Sequence, residues 1–127
     1  MAGVRDFEEL DCWKEARMLV KVVFKACEGG KLSRDFGTAD QIRRAALSVM
    51  NNIAEGHGRH STKEFIRFLD FALSSALEVK SISYVLSDLD YLPADQTSVI
   101  RQRADHTKNL IRGLMSYLKK YSNNQLA

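Results

Sequence analysis

The sequence predicts an all-α protein, namely an antiparallel up-down-up-down four-helix bundle. Proline occurs once, at Pro93, and glycine concentrates at Gly29-Gly30, Gly37 and Gly56/Gly58. These breakers leave four long segments in which apolar residues recur three and four positions apart, the spacing of helices rather than strands. Short links between long helices favour antiparallel neighbours. With 127 residues, 45% of them hydrophobic, residues 1–127 are expected to form one domain with its own core.

The first helix is predicted over about residues 12–27. Asp11 suits its N-cap, and Gly29-Gly30 ends it. The link that follows, residues 29–37, is expected to contain a turn of helix near residues 33–36. The apolar face of this first helix consists of Trp13, Ala16, Val20, Val23 and Cys27.

The second helix is predicted over about residues 39–56, with Thr38 and Gln41 in a capping box and the end near Gly56. Its apolar stripe consists of Ile42, Ala46, Val49 and Ile53. A polar line lies about 120° away on the helical wheel; it consists of Gln41, Arg44, Ser48, Asn52 and Glu55. A solvated face is the ordinary explanation, but the short side chains of Ser48 and Asn52 also suit close packing against a neighbouring helix.

The third helix is predicted over about residues 62–90, capped by Ser61 with Glu64 reaching back. Its core stripe consists of Phe65, Phe68, Ala72, Val79 and Leu86. A second apolar stripe lies about 150° round the helix; it consists of Ile66, Leu73, Leu77, Tyr84 and Tyr91. Since each helix of a bundle has one inward face, the second stripe predicts a subunit interface in a homo-oligomer.

The fourth helix is predicted over about residues 94–121, with Pro93 in its first turn and a frayed polar tail over 122–127. Its inner face consists of Ile100, Thr107, Ile111, Leu114, Leu118 and Tyr121.

The net charge of +3 is small, but residues 93–127 contain six basic and two acidic residues. A basic helix face attracts nucleic-acid phosphates through counterion release. The residues that carry this prediction are Arg101, Arg103, Lys108 and Arg112, with Lys119 and Lys120 beyond them. The ordinary alternative is that these side chains are simply solvated.

The segment from Asn51 to Phe65 crowds glycine, histidine and basic residues together and raises three chemical readings. A metal site is not predicted, because His57 is separated from His60 by Gly58 and the ligand set stays incomplete. A phosphate site would use Arg59 and Lys63, but the Ser61 capping box occupies the helix terminus. The sequence therefore predicts a structural corner, in which Glu55 pairs with Arg44 or Arg59.

No catalytic signature is present, so the chain is expected to be a non-enzyme without cofactor or metal. The alternative is an acid or base at Glu55 or Glu78, if burial shifts its pKa. The N-terminus does not resemble a signal peptide, and no stretch approaches the ~20 apolar residues of a membrane span. Cys12 and Cys27 are expected to be reduced, and the protein soluble and cytoplasmic, without membrane contact.

Several runs of the sequence together resemble the 23S rRNA intervening-sequence protein family, also called four-helix-bundle proteins. They are Gln41-Ile42-Arg43-Arg44-Ala45-Ala46-Leu47-Ser48, Asn52-Ile53-Ala54-Glu55-Gly56, and Arg59, Ser61 and Glu64-Phe65 with Phe68-Leu69. Phe7, Leu10, Trp13, Ser75, Glu78 and Leu92 extend the resemblance over nearly the whole chain. His57, Val79 and Ser81 depart from the family pattern, which affects surface details and not the fold.

The resemblance implies a four-helix bundle that assembles into a ring-like homo-oligomer, typically a pentamer. A distantly similar accessory protein of diversity-generating retroelements forms a pentamer that binds a reverse transcriptase and nucleic acid. The first functional hypothesis is therefore a non-enzymatic, oligomeric accessory protein that binds structured RNA or DNA through Arg43, Arg44, Arg59, Lys63, Arg101, Arg103, Lys108 and Arg112. The alternative is a protein scaffold for a partner enzyme such as a reverse transcriptase, without intrinsic nucleic-acid binding.

Overall fold

The computed structural model describes residues 6–126, with side chains described for residues 6–121. A single 3₁₀ turn, Phe7–Glu9, precedes five helices. They are α1 (Asp11–Ala26), the one-turn α2 (Gly30–Arg34), α3 (Phe36–His57), α4 (Thr62–Asp88) and α5 (Ala94–Leu126). The predicted all-α class is confirmed, because the described residues contain four long helices and no strand.

The four long helices surround one apolar core. α1 packs against α3 and α5, and α4 packs against the same two helices. The helices therefore contact one another in the order α1, α3, α4, α5, which leaves α1 and α4 diagonal to each other. The predicted core stripes of the second and third helices are buried throughout. Leu19, Leu32 and Leu69 are also fully buried, although the predicted stripes omit them.

The N-termini of α1 and α3 differ from the prediction. α1 begins at Asp11 with Leu10 at the N-cap, so Asp11 lies in the first turn and is not the cap. α3 begins at Phe36 because Asp35 caps it: Asp35 Oδ1 accepts from the Thr38 backbone N–H at 3.1 Å, and Oδ2 accepts from the Thr38 hydroxyl at 2.8 Å. The predicted Thr38 cap is therefore wrong, because a carboxylate three residues earlier satisfies the same terminus.

α3 ends at His57, one residue beyond the predicted end near Gly56, so Gly56 lies within the helix. Gly56 is buried where α3 and α4 approach closely. A Cβ at this position would lie 2.6 Å from Phe68 Cβ and 3.1 Å from Phe65 Cδ1. The residue is therefore a glycine because the neighbouring helix leaves no room for a side chain, and not because the chain must turn.

The C-terminal helix also differs from the prediction. Pro93 lies just before α5, where its carbonyl accepts from the N–H groups of Gln96 and Thr97. α5 continues to Leu126, five residues beyond the predicted end at residue 121; the fraying of residues 122–127 stays a prediction, and Ala127 lies outside the described residues. No proline or glycine interrupts the chain after Gly113, and a polar composition alone does not stop a helix. Tyr121, predicted on the inner face, is 39% exposed and stacks on Tyr117.

Both cysteines are free and buried. Burial raises the pKa of the Cys12 thiol to about 12. Burial also raises the pKa of Cys27, although the neighbouring Arg43 partly opposes this effect. Because the thiolate is the reactive form, both side chains behave as small core residues.

Candidate interaction surfaces

The α3–α4 corner, residues 55–71, contains the helix terminus that the sequence singles out. Ser61 Oγ accepts a hydrogen bond from the Glu64 backbone N–H at 3.3 Å. A full capping box requires the Glu64 carboxylate to reach back to the cap residue. The carboxylate accepts instead from Arg67 Nε at 2.7 Å. This bond with Arg67 holds the pKa of Glu64 below its usual value. The terminus is therefore occupied by the chain's own hydroxyl and the carboxylate by its own arginine.

The two arginines of the corner lie against aromatic rings. Arg59 lies 4.9 Å from the centre of the Phe68 ring and 3.8 Å from a Glu55 carboxylate oxygen. Arg67 lies 5.1 Å from the Phe68 ring and 5.3 Å from the ring of Phe71. Cation–π and ion-pair contacts of exposed groups are each weak. Together they direct both guanidinium groups toward the protein.

The histidines of the corner serve packing and the turn. His57 packs edge-on against Phe65, with ring centres 5.8 Å apart. His60 adopts a left-handed backbone conformation, with φ of 56°. Among the described residues, no three histidine, cysteine, aspartate or glutamate side chains are grouped as metal ligands.

Two residues of the polar line of α3 form hydrogen bonds to α4. Gln41 donates to Glu78 at 2.6 Å, and the hydroxyls of Ser48 and Ser75 are 2.7 Å apart. Asn52 donates to the Ser48 carbonyl at 2.8 Å. Arg44 differs: it pairs with Asp40 at the surface at 2.8 Å. Gln41 and Ser48 thus form a hydrogen-bonded seam between α3 and α4. Both acidic residues considered for catalysis, Glu78 here and Glu55 at the corner, have partners.

Arg101, the first predicted phosphate contact on α5, binds α4. Its guanidinium donates to Ser83 Oγ at 3.0 Å, to the Ser83 carbonyl at 3.2 Å and to Ser87 Oγ. It also lies over the Tyr84 ring, 3.9 Å from the ring centre. These contacts leave Arg101 few donors for a phosphate.

The next two predicted contacts on α5 also have internal partners. Arg103 donates to both carboxylate oxygens of Glu15 on α1, at 3.1 and 3.2 Å. The Glu15 side chain is only 18% exposed. Lys108 and Lys80 share Asp105 Oδ1, at 3.3 and 2.9 Å; the bond from Lys80 is the main reason that the pKa of Asp105 is lowered.

Arg112, Lys63 and Arg43 complete the predicted basic set. Arg112 and Lys63 are exposed and form no ion pair within the described part of the chain. Arg43 is half-buried and lies 6.0 Å from the ring centre of Phe24 on α1. The predicted cations are therefore spread over several surfaces, and the structure does not bring them together into one site.

The predicted interface stripe on α4 is only partly free. Ile66, Leu73 and Tyr91 are half-buried against the chain's own core, and the Tyr91 hydroxyl donates to Asp35 at 2.9 Å. Leu77 and Tyr84 are 43% and 51% exposed. Phe71 and Val85 add exposed apolar side chains to the same helix, and Leu89 adds one at its C-cap. We call Phe71, Leu77, Tyr84, Val85 and Leu89 the outer α4 face.

A row of cations on α1 is absent from the predicted set. It consists of Lys14, Arg17, Lys21 and Lys25, all exposed. Counting charge over residues 1–30 conceals it, because six acidic residues in that segment outnumber five basic ones. The signal was present as spacing: intervals of three, four and four residues place side chains on one side of a helix. We call these four residues the α1 row.

Across residues 6–126, no helix combines the length and the apolar composition that crossing a membrane requires.

Comparison with known proteins agrees with this architecture. The sequence model of the family described as 23S rRNA-intervening sequence protein matches residues 8–113. No curated protein sequence matches the chain. The fold is similar to the crystal structure of a protein of unknown function from the S23 ribosomal protein family of Bacteroides thetaiotaomicron, with 20% sequence identity, a TM-score of 0.74, and coverage of 82% of this chain and 97% of that chain. Since the family match spans most of the sequence, the chain belongs to the 23S rRNA-intervening sequence protein family.

Proposed function

We propose that this protein is a non-enzymatic, oligomeric accessory protein that binds structured RNA or DNA through basic surfaces. In this proposal residues 1–127 are one domain, an antiparallel up-down-up-down bundle that assembles with further copies of itself in the cytoplasm. A ring of five is the assembly that the family resemblance implies. The sequence supports the absence of catalysis by lacking a nucleophile–base signature.

The outer α4 face is the observation that carries the proposal. Four large apolar side chains are exposed on α4, and a fifth, Leu89, lies at its C-cap. Exposed apolar side chains grouped on one surface often mark a protein interface. Tyr84 supports this reading because aromatic residues are enriched at interfaces. A second copy of the chain is the occupant that requires no further protein.

The basic surfaces support the nucleic-acid part of the proposal. The chain carries a net charge of +3, and Arg43, Lys63 and Arg112 remain candidate phosphate contacts without an ion pair among the described residues. Weaker candidates are the cations whose internal partners a phosphate must displace, namely Arg44, Arg59, Arg101, Arg103 and Lys108. Contacts of this kind depend steeply on salt.

Light scattering tests the oligomer. A pentamer of this 14.4 kDa chain has a mass of about 72 kDa. Leu77→Asp places a charge on the outer α4 face and should lower the measured mass. Val99→Asp is the matched control on α5, because Val99 is 42% exposed, against 43% for Leu77. A monomeric wild-type protein at micromolar concentration contradicts the oligomer proposal.

Salt-dependent binding tests the nucleic-acid part. The purified oligomer, freed of contaminating nucleic acid, should bind a structured RNA or a DNA duplex at about 50 mM salt and release it as the salt concentration rises. Absence of binding at low salt rejects this part of the proposal and leaves the oligomer untouched.

A protein scaffold is the second candidate function. The observation that favours it is that Arg101, Arg103 and Lys108 have partners within the chain, which reduces the cations available to phosphate. In that case the ring displays surfaces to an enzyme such as a reverse transcriptase. Purification from the native host, with and without nuclease, separates the two: an enzyme that remains bound after nuclease treatment favours the scaffold.

A further inference from the structure

The α1 row is a straight line of positive charge. Its members, at residues 14, 17, 21 and 25, fall within an arc of about 80° at 100° per residue. Eleven residues of helix separate the first from the last, a distance of about 17 Å. The row therefore presents four cations along one side of α1, at intervals of about 5–6 Å.

The row differs from the other basic clusters because carboxylates do not neutralise it. None of the four side chains forms an ion pair within residues 6–121. Glu15 is the acidic residue nearest to the row in sequence, but Arg103 binds it from α5. Asp11 and Glu28 lie beyond the ends of the row. Its positive charge is therefore available to a ligand.

Arg43 adds a cation beside the row. It reaches across from α3 to the ring of Phe24, 6.0 Å from the ring centre. Phe24 is exposed and adjacent in sequence to Lys25, the last member of the row. This contact places Arg43, which the sequence predicted to bind phosphate, next to the α1 row.

The composition of the row selects among anionic partners. Stable binding at a membrane surface combines basic residues with an apolar helix face or a lipid chain that enters the bilayer, but on α1 the apolar face is buried, with Ala16, Leu19 and Val23 fully inside the core. Protein interfaces are depleted of lysine relative to the rest of the surface, whereas three of the four row residues are lysines. A nucleic-acid backbone, with regularly spaced phosphates, fits a line of lysine and arginine best.

We propose that the α1 row is the surface on which this protein binds nucleic acid, through phosphates and without reading base sequence. The inference rests on the proposed nucleic-acid binding, and it places the main phosphate-contacting surface on α1 and not on α5. Four neutralised phosphates give a slope of about −3.6 in a plot of log affinity against log salt concentration for duplex DNA. Raising the salt from about 50 to about 200 mM then lowers the affinity about 150-fold.

The test uses the full-length protein and labelled duplexes of about 25 base pairs, in two unrelated sequences. In the variant Lys14→Gln, Arg17→Gln, Lys21→Gln, Lys25→Gln, we expect the affinity at about 50 mM salt to fall at least 100-fold and the slope to flatten by about 3.6. The wild type should bind the two sequences with similar affinity. Glutamine is a good helix former, so thermal melting and light scattering should show an unchanged fold and assembly.

A matched control removes the same charge elsewhere. The variant Lys31→Gln, Arg34→Gln, Lys119→Gln, Lys120→Gln alters three lysines and one arginine that are exposed outside α1 and should keep the wild-type slope. The charge-retaining variant Lys14→Arg, Lys21→Arg, Lys25→Arg should keep the wild-type affinity within about threefold, because phosphates accept from either side chain.

The outcomes separate this inference from the proposed function. Wild-type binding that the row variant retains overturns the α1 row and leaves nucleic-acid binding in place. Equal losses in the row variant and in the matched control also overturn it, because binding then follows net charge alone. Absence of wild-type binding at low salt rejects both. Binding to phosphatidylserine vesicles without binding to either duplex overturns the choice of ligand.

Discussion

The α3–α4 corner and the α1 row both contain arginine or lysine at helical spacing, but they use these residues differently. In the corner, Arg59 and Arg67 lie over aromatic rings and pair with Glu55 and Glu64. On α1, none of the four exposed cations has a carboxylate partner within residues 6–121, and one of them, Arg17, lies 5.8 Å from the centre of the Trp13 ring. The cations of the corner therefore stabilise the fold through internal partners, whereas those of the α1 row are available to a ligand. Free charge, and not the number of basic residues, distinguishes a candidate binding surface from a structural one.

The largest expected effect lies in the corner, at Gly56. We expect Gly56→Ala to lower the free energy of unfolding by about 2–3 kcal/mol, because the new Cβ collides with the Phe68 Cβ, which cannot rotate away. Chemical denaturation measures the loss. A variant as stable as the wild type contradicts the close approach of α3 and α4 at this position.

Gly113→Ala is the matched control for that prediction. Gly113 is exposed within α5, and a Cβ there meets no atom within 4 Å. We expect this variant to gain about 0.5–1 kcal/mol of unfolding free energy, since alanine is the better helix former. Opposite signs for the same substitution at two helical glycines separate steric exclusion from helix propensity. A loss of stability in Gly113→Ala contradicts the open space around this residue.

A smaller effect than that at Gly56 is expected from a cation with an internal partner. Arg103→Gln leaves Glu15 without its guanidinium partner, and we expect a loss of about 1 kcal/mol in unfolding free energy. His106 Nδ1, 3.3 Å from Glu15, limits the loss. Lys21→Gln in the α1 row should change the free energy by less than about 0.5 kcal/mol, because its side chain is solvated. Equal effects at the two positions remove the distinction between paired and free cations.

The sequence predicted the helices better than the surfaces, for a physical reason. Core positions such as Ile42, Val49 and Ile53 are fixed by periodicity within one helix, and all three are buried. Charge pairing is a tertiary property: Arg103 meets Glu15 across 88 positions of sequence, which no local pattern reveals. Gly56 shows the same limit, because its role depends on Phe68 in the next helix.

The polar line of α3 shows how tertiary contacts change an interpretation based on helix periodicity. The polar line of α3 was compatible with a solvated face, but the contacts between Ser48 and Ser75 and between Gln41 and Glu78 show that two of its five residues bond to α4. The serine and asparagine side chains were the signal that sequence could supply. The partners of Ser48 and Gln41 on α4 lie 27 and 37 residues further along the chain, so only the fold identifies them.

The smallest expected effect concerns the acid limb of stability. Hydrogen bonds from the Thr38 backbone N–H, the Thr38 hydroxyl and the Tyr91 hydroxyl lower the pKa of Asp35. The Asp35 carboxylate therefore binds a proton less readily in the folded protein than in the unfolded chain. The stabilisation is present above the ordinary carboxyl pKa of about 4 and is lost as the pH falls through the lower folded value.

Asp35→Asn tests this effect, because asparagine can still cap α3 but cannot ionise. We expect its melting temperature to lie below that of the wild type at neutral pH and the gap to close as the pH falls below about 4. Tyr91→Phe removes one of the three bonds and should reproduce part of the change. Thermal melts between about pH 3 and pH 7 measure the gap; parallel curves for wild type and Asp35→Asn contradict a pH-dependent cap and leave the carboxylate with a purely geometric role.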